Sequence, residues 1–278
     1  AHVLALSKFY AVLSTVLRLK PDRLEHYQRL VVQAQAEIAE TYYLQGKYGE
    51  AVDFLGRLLK LDASELQRAQ ILYQLIQSLS ALGRFAEVTT KAPTFLERHP
   101  NASQLPEVRF LFANALKKQG RDREAVQQVM ALLEGQERSA QDNPGRWTYW
   151  RQRAGNEIGN QLYTSGDYIS ALAIYKSLAS LDSSPDWSLP VWYQMGLAYE
   201  RLQQPQKAIE SYNNILAAEK GLSSTNTTPS LSVVREMARW RKGHLEWLMQ
   251  AEKSNERLSV PPSAQTLIAS DESNPSNR

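Results

Sequence analysis

Apolar residues recur at helical spacing in five segments of this chain, and each segment divides into two helices around a turn. In the first segment Ala51, Leu55, Leu58 and Leu59 occupy positions i, i+4, i+7 and i+8, the spacing of an amphipathic helix. A preceding helix ends at Gly46, because glycine readily adopts the left-handed conformation common at helix C-termini. Neither helix buries its apolar stripe alone, so the pattern predicts helix pairs that stack on their neighbours.

Two positions recur along the chain with the same spacing. The turn position is occupied by Gly46, Gly83, Gly120, Gly166 and Gln203, and a position five residues later by Ala51, Val88, Ala125, Ala171 and Ala208. Both series advance in steps of 37, 37, 46 and 37 residues, so they keep one spacing through a nine-residue insertion. This agreement indicates an internal repeat, which is the sequence signature of a solenoid.

These positions resemble the signature of the tetratricopeptide repeat (TPR). That signature places large, small and aromatic residues in a first helix, glycine at the turn, and alanine with an aromatic residue in a second helix. The fifth segment carries it at Trp192, Met195, Gly196, Tyr199, Ala208, Tyr212 and Ile215, and the fourth at Ile158, Gly159, Gly166, Tyr168, Ala171, Tyr175 and Leu178. The resemblance implies an all-α fold, a right-handed α-solenoid of about five TPR-like helix pairs with N- and C-terminal capping helices.

The resemblance also implies a division of the chain. It covers residues 32–218, with repeats expected at about 32–65, 69–102, 106–139, 152–185 and 189–222. Residues 1–31 are expected to form either an N-terminal capping helix or a truncated preceding repeat, and the sequence favours neither.

One more helix is predicted after the repeats, over residues 230–254. An apolar stripe on this helix consists of Val234, Met237, Trp240, Leu245 and Leu248, and the basic residues on its other face are Arg235, Arg239, Arg241 and Lys242. Because a terminal repeat needs a polar outer side, we interpret this helix as a cap. A basic docking surface is the alternative. Residues 255–278 lack periodicity and are expected to be a disordered tail.

The second segment departs from the common pattern at three positions. Ile76 and Val88 stand where small residues normally let the paired helices touch, and Ala92 stands where the other segments carry leucine, valine or tyrosine. Because protein interiors are close-packed, we expect the volume added at two positions to be offset by the volume removed at the third.

Composition and charge exclude several kinds of chemistry. The chain has no Cys, which excludes thiol catalysis, disulfides and Cys-based zinc sites, and its net charge of +3 argues against nucleic acid. The four His have no partner at i+3 or i+4, and no catalytic or phosphate-binding motif occurs. No apolar run approaches the roughly 18 residues of a spanning helix. We therefore expect no catalytic residues, metal site, cofactor or membrane-spanning segment, and we do not expect an enzyme.

The resemblance implies a function in protein–protein interaction, because the first helices of TPR domains line a concave groove that receives an extended peptide or a partner helix. The residues expected to face this groove and bind the partner are Tyr43, Tyr73, Gln77, Asn114, Lys117, Arg153, Asn156, Asn160, Tyr163 and Tyr193. The amides can bond a peptide backbone, the tyrosines supply flat contact area, and the basic residues can engage a carboxylate. The prediction is a non-catalytic scaffold or adaptor. A structural subunit of a larger assembly, or a regulatory module cut from a larger enzyme, is the alternative.

Two further features leave alternatives open. Trp147 and Trp150 follow the insertion with arginines beside them, and we interpret them as filling the gap that it opens, with a protein-binding edge or single-stranded nucleic acid as alternatives. The absence of Cys and the initial Ala favour a bacterial periplasm or cell envelope, with a cytoplasmic location as the alternative. The oligomeric state and the identity of the partner are not indicated by the sequence.

Overall fold

The computed structural model describes residues 2–18, 24–60, 65–135, 143–218 and 229–259, and these residues form helices and turns with no strand among them. The helices of this described part are α1 (His2–Arg18), α2 (Leu24–Leu44), α3 (Tyr48–Leu58), α4 (Glu65–Ala81), α5 (Phe85–Arg98), α6 (Leu105–Lys118), α7 (Asp122–Glu134), α8 (Pro144–Thr164), α9 (Tyr168–Ala179), α10 (Pro185–Arg201), α11 (Pro205–Ala217) and α12 (Pro229–Ser259). The all-α, helix-pair solenoid predicted from the sequence is confirmed.

The chain divides into two compact units, Ala1–Leu178 and Ala179–Arg278. In the first unit the helices from α1 to α8 pack on their sequence neighbours, and α2, α4, α6 and α8 also contact one another in order. In the second unit α10 pairs with α11, and α12 packs on both. Helices α2 and α8 begin at Leu24 and Pro144, several residues before the repeats expected at 32 and 152.

The turns confirm the repeat spacing. Glycines 46, 83, 120 and 166 have φ values between 73° and 90°, and Gln203 is the non-glycine residue with positive φ, at 56°, in the described chain. In the first turn the N–H of Gly46 donates to the carbonyl of Tyr43 at 2.9 Å, and the N–H of Lys47 donates to the carbonyl of Tyr42 at 2.9 Å. This pair of bonds is the Schellman motif, and it closes the first helix of the repeat.

The two helices of a pair meet where one residue is small and the other large. An added Cβ on Gly159 of α8 would lie 2.9 Å from the Tyr175 ring of α9, and one on Gly196 of α10 would collide with the Tyr212 ring of α11. In the second repeat Ile76 and Ala92 occupy the equivalent positions, and both are fully buried. The second repeat thus has the larger residue on its first helix and the smaller one on its second helix, the reverse of the glycine–tyrosine pairs. This arrangement is consistent with the expected compensation of volume.

The tryptophans that follow the insertion are part of the core of the first unit. Trp147 is 1% exposed and Trp150 is 9% exposed, and the ring of Trp150 lies 5.3 Å from the ring of Phe110 on α6. Helix α8 starts just before them, where the Asn143 side chain accepts a hydrogen bond from the N–H of Arg146 at 3.2 Å. This burial supports the interpretation that they fill the gap beside the insertion. Residues 136–142, in the segment that contains the insertion, lie outside the described residues.

The C-terminal helix differs from its prediction in length and in the face that it buries. Helix α12 continues to Ser259, so residues 255–259 of the expected tail are helical, and the rest of that tail lies outside the described residues. Arg235, predicted to lie on the outer face, is 6% exposed, whereas Met237 and Trp240 of the predicted apolar stripe are 38% and 66% exposed. The predicted inward stripe is therefore wrong at these residues.

Candidate functional site

The residues predicted to bind a partner lie on the first helices of the pairs. In the first unit, helices α2, α4, α6 and α8 carry Tyr43, Tyr73, Gln77, Asn114, Lys117, Arg153, Asn156, Asn160 and Tyr163. We call the surface formed by these residues the first-helix face. Tyr193 lies on α10 in the second unit.

A recess of about 240 Å³ opens on the first-helix face between α2 and α4. Its polar lining consists of Glu40, Tyr43, Gln70, Tyr73, Gln74, Gln77 and Ser78. Glu40 supplies the carboxylate of this lining, and none of the described residues that line the recess is basic. The recess is therefore rich in hydrogen-bond acceptors and aromatic rings.

Gln74 lines the recess and has one enclosed oxygen without a hydrogen-bond partner among the described residues. Its side chain is 9% exposed, and its Nε2 donates to Oε2 of Glu40 at 3.2 Å. Because a carboxylate accepts hydrogen bonds, this contact fixes the orientation of the Gln74 amide. Oε1 is then left without a partner in the part of the chain that the structure describes. A buried polar atom without a partner costs about 1–3 kcal/mol. Because Oε1 is enclosed by the surrounding protein, this cost falls on the fold itself.

A hydrogen-bond network adjoins the recess and links three first helices. The Tyr73 hydroxyl of α4 donates to Oε2 of Glu107 on α6 at 2.8 Å, and Nε2 of Gln77 donates to Oε1 of the same carboxylate at 2.7 Å. Nη2 of Arg146 on α8 donates to Oε2 of Glu107 at 3.0 Å. The polar ends of Tyr73 and Gln77 are thus bonded within the fold.

The tyrosine hydroxyls at the recess keep their protons at neutral pH. Burial raises the pKa of Tyr73 above its usual range, and the negative charge of Glu107 acts in the same direction. Burial also raises the pKa of Tyr43, with Tyr48 and Glu107 contributing. Tyr73 therefore remains a hydrogen-bond donor to Glu107. The Arg146 guanidinium, which is paired with Glu107, acts against this shift at Tyr73.

The three predicted asparagines have different environments. Asn156 and Asn160 on α8 are exposed, and Oδ1 of Asn160 accepts a hydrogen bond from the Tyr175 hydroxyl at 2.7 Å. Asn114 on α6 is partly buried, and its Oδ1 has no partner among the described residues. The hypothesis of an amide row along the groove stays a prediction, with Asn160 already engaged from the second helix of its own repeat.

The predicted basic residues are paired locally. Nζ of Lys117 lies 3.1 Å from Oδ2 of Asp122. Nε of Arg153 lies 3.7 Å from Oε2 of Glu157, and its guanidinium lies over the Phe110 ring at 5.0 Å. A wider depression of about 580 Å³ is lined by Lys117, Lys118, Asn160, Gln161, Thr164 and Ser165. The first-helix face thus has an acidic recess at α2 and α4 and a lysine-lined depression at α6 and α8.

The remaining predicted tyrosines make aromatic contacts. Tyr43 and Tyr163 stand at the same position of their repeats, and each ring lies 5.2 Å from a tyrosine of the following helix, Tyr48 or Tyr168. In the second unit the Tyr193 hydroxyl accepts a hydrogen bond from Nε of Arg241 at 3.1 Å. Tyr193 is therefore bonded to α12.

Sequence patterns did not single out Gln74 and Arg146 as residues of this site. Gln74 falls between the positions assigned to the groove, and Arg146 lies at the start of α8, before the repeat expected at 152. Both reach the site because neighbouring first helices bring distant residues together. The sequence signal that could have identified them is a polar side chain beside apolar residues of a predicted helix.

Two kinds of feature are absent from the described residues. No group of three or more His, Asp or Glu side chains there is placed to hold a metal ion. No helix in the described ranges combines the length and apolar character needed to cross a membrane.

The comparison with protein families agrees with this architecture. Residues 32–65 and 189–220 match the family model of the tetratricopeptide repeat. The chain therefore contains tetratricopeptide repeats, and the family predicted from the sequence is confirmed. A comparison with curated protein sequences found no significant match.

Several solved structures are similar. BtubC (BKLC) from P. vanneervenii is 17% identical over 82% of this chain and 96% of its own, with a TM-score of 0.49. A thermophilic TPR protein from Thermus thermophilus is 19% identical over 75% and 99%, with a TM-score of 0.39. The apo form of the quorum sensor NprR from B. thuringiensis is 15% identical over 85% and 68%, with a TM-score of 0.44. Identities and scores this low indicate no ligand or function for this chain.

Proposed function

We propose that this chain is a protein-interaction scaffold that holds an extended peptide or a partner helix against the first-helix face. The observation that supports this proposal is the recess between α2 and α4, which is lined by the Glu40 carboxylate and the Tyr43 and Tyr73 side chains. Solvent-facing grooves with aromatic walls and a few polar groups are typical of ligand-binding surfaces.

The chemistry of the recess favours a ligand group that donates hydrogen bonds. The Glu40 carboxylate and the side chains of Tyr43 and Tyr73 line it, and none of its described lining residues is basic. A lysine or arginine side chain of the partner can pair with this carboxylate, and a cation is also attracted to aromatic rings. The scaffold therefore favours a partner that places a basic side chain in the recess.

The lysine-lined depression makes the charge of the first-helix face differ between its two ends, which would orient a bound peptide. Lys118 is exposed there, and Lys117 is paired with Asp122. An acidic side chain or a terminal carboxylate of the partner suits this end, because opposite charges attract even where salt screens them. A bound peptide would then lie with a basic group at α2 and α4 and an acidic group at α6 and α8.

A selection from a random peptide library displayed on phage tests the proposal, because it needs no known partner. Peptides that bind the chain are expected to carry Lys or Arg at a common position. Their affinity is expected to fall at least tenfold in the double variant Glu40→Ala/Tyr43→Ala, measured by fluorescence anisotropy.

The matched control places the same kind of change on second helices. Glu97 on α5 and Gln127 on α7 are exposed, so the double variant Glu97→Ala/Gln127→Ala is expected to bind as the parent does. Thermal unfolding by circular dichroism establishes that both variants are folded. Peptides that bind both variants equally would place the contacts on another surface, and the structural-subunit alternative would then be favoured.

A further inference from the structure

The outer face of α12 carries an apolar and aromatic stripe that is exposed to solvent. Its residues follow steps of four, three, four, three and four positions: Val233, Met237, Trp240, His244, Trp247 and Ala251. The two tryptophans are 66% and 62% exposed. The His244 ring stacks between them, 5.4 Å from the Trp240 ring and 6.3 Å from the Trp247 ring. We call these six residues the outer stripe.

The opposite side of the same helix is the one that packs on its own unit. Leu231, Arg235, Ala238 and Leu245 are buried there, and α12 contacts α10 and α11. On this side Nη1 of Arg241 also donates to Oε2 of Glu200 at 2.9 Å. These contacts fix the rotation of α12 about its axis, and Trp240, His244 and Trp247 face solvent. Met237 lies at the edge of the outer stripe, where its sulfur accepts a hydrogen bond from the Tyr193 hydroxyl at 3.7 Å. Soluble proteins rarely leave such a contiguous apolar surface without a partner.

Gly243 stands beside the outer stripe, and no contact among the described residues requires a glycine there. A Cβ added there would meet nothing within 4 Å. Glycine within a helix destabilises it relative to alanine, so this position carries a cost with no internal contact to explain it. A glycine at the edge of an exposed face allows a second backbone to approach closely.

We propose that the outer stripe is a dimerisation surface, on which α12 of a second copy of this chain packs in antiparallel orientation. Alternating steps of three and four residues are the spacing of the seam between two supercoiled helices. A two-fold axis near residue 242 places Trp240 against the partner's His244, Met237 against the partner's Trp247, and Val233 against the partner's Ala251. Each large side chain thereby meets a smaller or more flexible one.

The parallel arrangement fits the same stripe less well. It sets Trp240 against the partner's Trp240 and Trp247 against the partner's Trp247, so bulky rings coincide while Ala251 leaves a gap against its own copy. Close packing disfavours both mismatches. Antiparallel helices also align their dipoles favourably.

The size of the stripe predicts a weak dimer. An aromatic side chain buries about 150–250 Å², so two tryptophans and their apolar neighbours remove roughly 500 Å² per protomer and roughly 1,000 Å² in total. This total stands at the lower limit of specific interfaces. The dimer is therefore expected to dissociate in the micromolar range and to depend on protein concentration.

Sedimentation velocity of the whole chain, from low to several hundred micromolar, tests the dimer. The parent is expected to shift from monomer to dimer across this range. The double variant Trp240→Glu/Trp247→Glu is expected to raise the dimer Kd at least tenfold, because it places charge in the seam. Ile169 on α9 is 72% exposed, so Ile169→Glu makes the same kind of change elsewhere and is expected to leave dimerisation unchanged. A monomeric parent at every concentration, or a variant that dimerises as the parent does, would overturn the proposal.

The absence of Cys from the chain allows a second test that does not remove the tryptophans. Val233→Cys and Ala251→Cys are made as separate single variants and oxidised alone and mixed. In the antiparallel dimer each variant alone places its two sulfurs about 27 Å apart along the helix, whereas the mixture brings Cys to Cys at one level. A disulfide-linked dimer is therefore expected in the mixture. Cross-linking of each variant alone would show a parallel pair, and no cross-link in any sample would contradict the seam. If residues 260–278 of the same chain, or a different protein, occupied the outer stripe, the chain would stay monomeric in sedimentation and would form no cross-link.

Discussion

At the scale of single residues, the left-handed turn at Gln203 shows how repeat spacing constrains the backbone. Four repeats place glycine at this position, and the fifth adopts φ of 56° with a glutamine. The left-handed conformation costs an L-residue about 1–2 kcal/mol, because its Cβ approaches the following carbonyl oxygen. The spacing alone predicted this turn without a glycine, since the helices on both sides keep the register.

The turn strain can be measured by exchanging residues. Gln203→Gly is expected to raise the free energy of unfolding by about 0.5–1 kcal/mol, because relief of the strain exceeds the entropy that glycine adds to the unfolded chain. Gly120→Ala is expected to lower it by about 1 kcal/mol, and because an added Cβ there meets nothing within 4 Å, the loss reports the backbone alone. Urea unfolding followed by circular dichroism gives both values. A destabilised Gln203→Gly variant would show that the side chain makes a contact worth more than the strain.

At the scale of the helix pair, reciprocal side-chain sizes close the contact between first and second helices. Gly159 and Gly196 leave room for tyrosine rings, whereas the second repeat combines Ile76 with Ala92. This reversal was visible in the aligned sequence because the two positions keep a fixed spacing. The aligned pattern could not show the contact itself, which the two glycine–tyrosine pairs now provide.

A double-mutant cycle in the second repeat tests this reciprocity. Ile76→Ala is expected to destabilise by about 2–4 kcal/mol through a cavity, and Ala92→Leu by about 1–3 kcal/mol through overpacking. The double variant has the Ala and Leu combination of the first repeat, at Ala39 and Leu55, and is expected to recover at least 1 kcal/mol relative to the sum. Thermal and urea unfolding of the four proteins measure the coupling. Additive losses would mean that the two side chains do not share one space.

Helix α12 shows where an apolar pattern is insufficient. Two stripes on this helix have the same alternating spacing, and composition favours burial of the one with tryptophans. The structure buries the other, where Arg241 bonds Glu200 and Tyr193 on α10. These partners are more than forty residues away in sequence, so no local pattern includes them.

At the scale of the whole molecule, the fold was predictable because a solenoid is a sum of local units and their nearest neighbours. The recess was less predictable, because its acceptors come from two adjacent repeats and their orientation depends on a hydrogen bond between Gln74 and Glu40. The repeat register correctly predicted that Tyr43, Tyr73 and Gln77 lie on first helices. It gave no information on which of their polar groups would be hydrogen-bonded within the fold.

Glu107 joins three successive first helices, so its removal is expected to affect their stacking. Glu107→Ala leaves Tyr73, Gln77 and Arg146 without their shared acceptor and is expected to lower stability by about 1–3 kcal/mol. Glu107→Gln keeps an acceptor and the side-chain shape and is expected to lose less. Urea unfolding measures both, with a shallower denaturant slope for Glu107→Ala if neighbouring repeats separate before they unfold. Equal stability of Glu107→Ala and the parent would show that the network contributes no net energy.

Four of the six tryptophans form two groups that differ in their exposure to solvent, so tryptophan fluorescence can distinguish them. Trp147 and Trp150 are enclosed in the first unit, whereas Trp240 and Trp247 face solvent on α12 in the second. Enclosed indoles emit at shorter wavelengths and resist a collisional quencher such as acrylamide, whereas exposed indoles do neither. Quenching of the native chain therefore removes the red edge of its emission first, and it does so without labels. If a partner covers α12, the long-wavelength emission becomes less sensitive to acrylamide, and a quenching titration detects the binding.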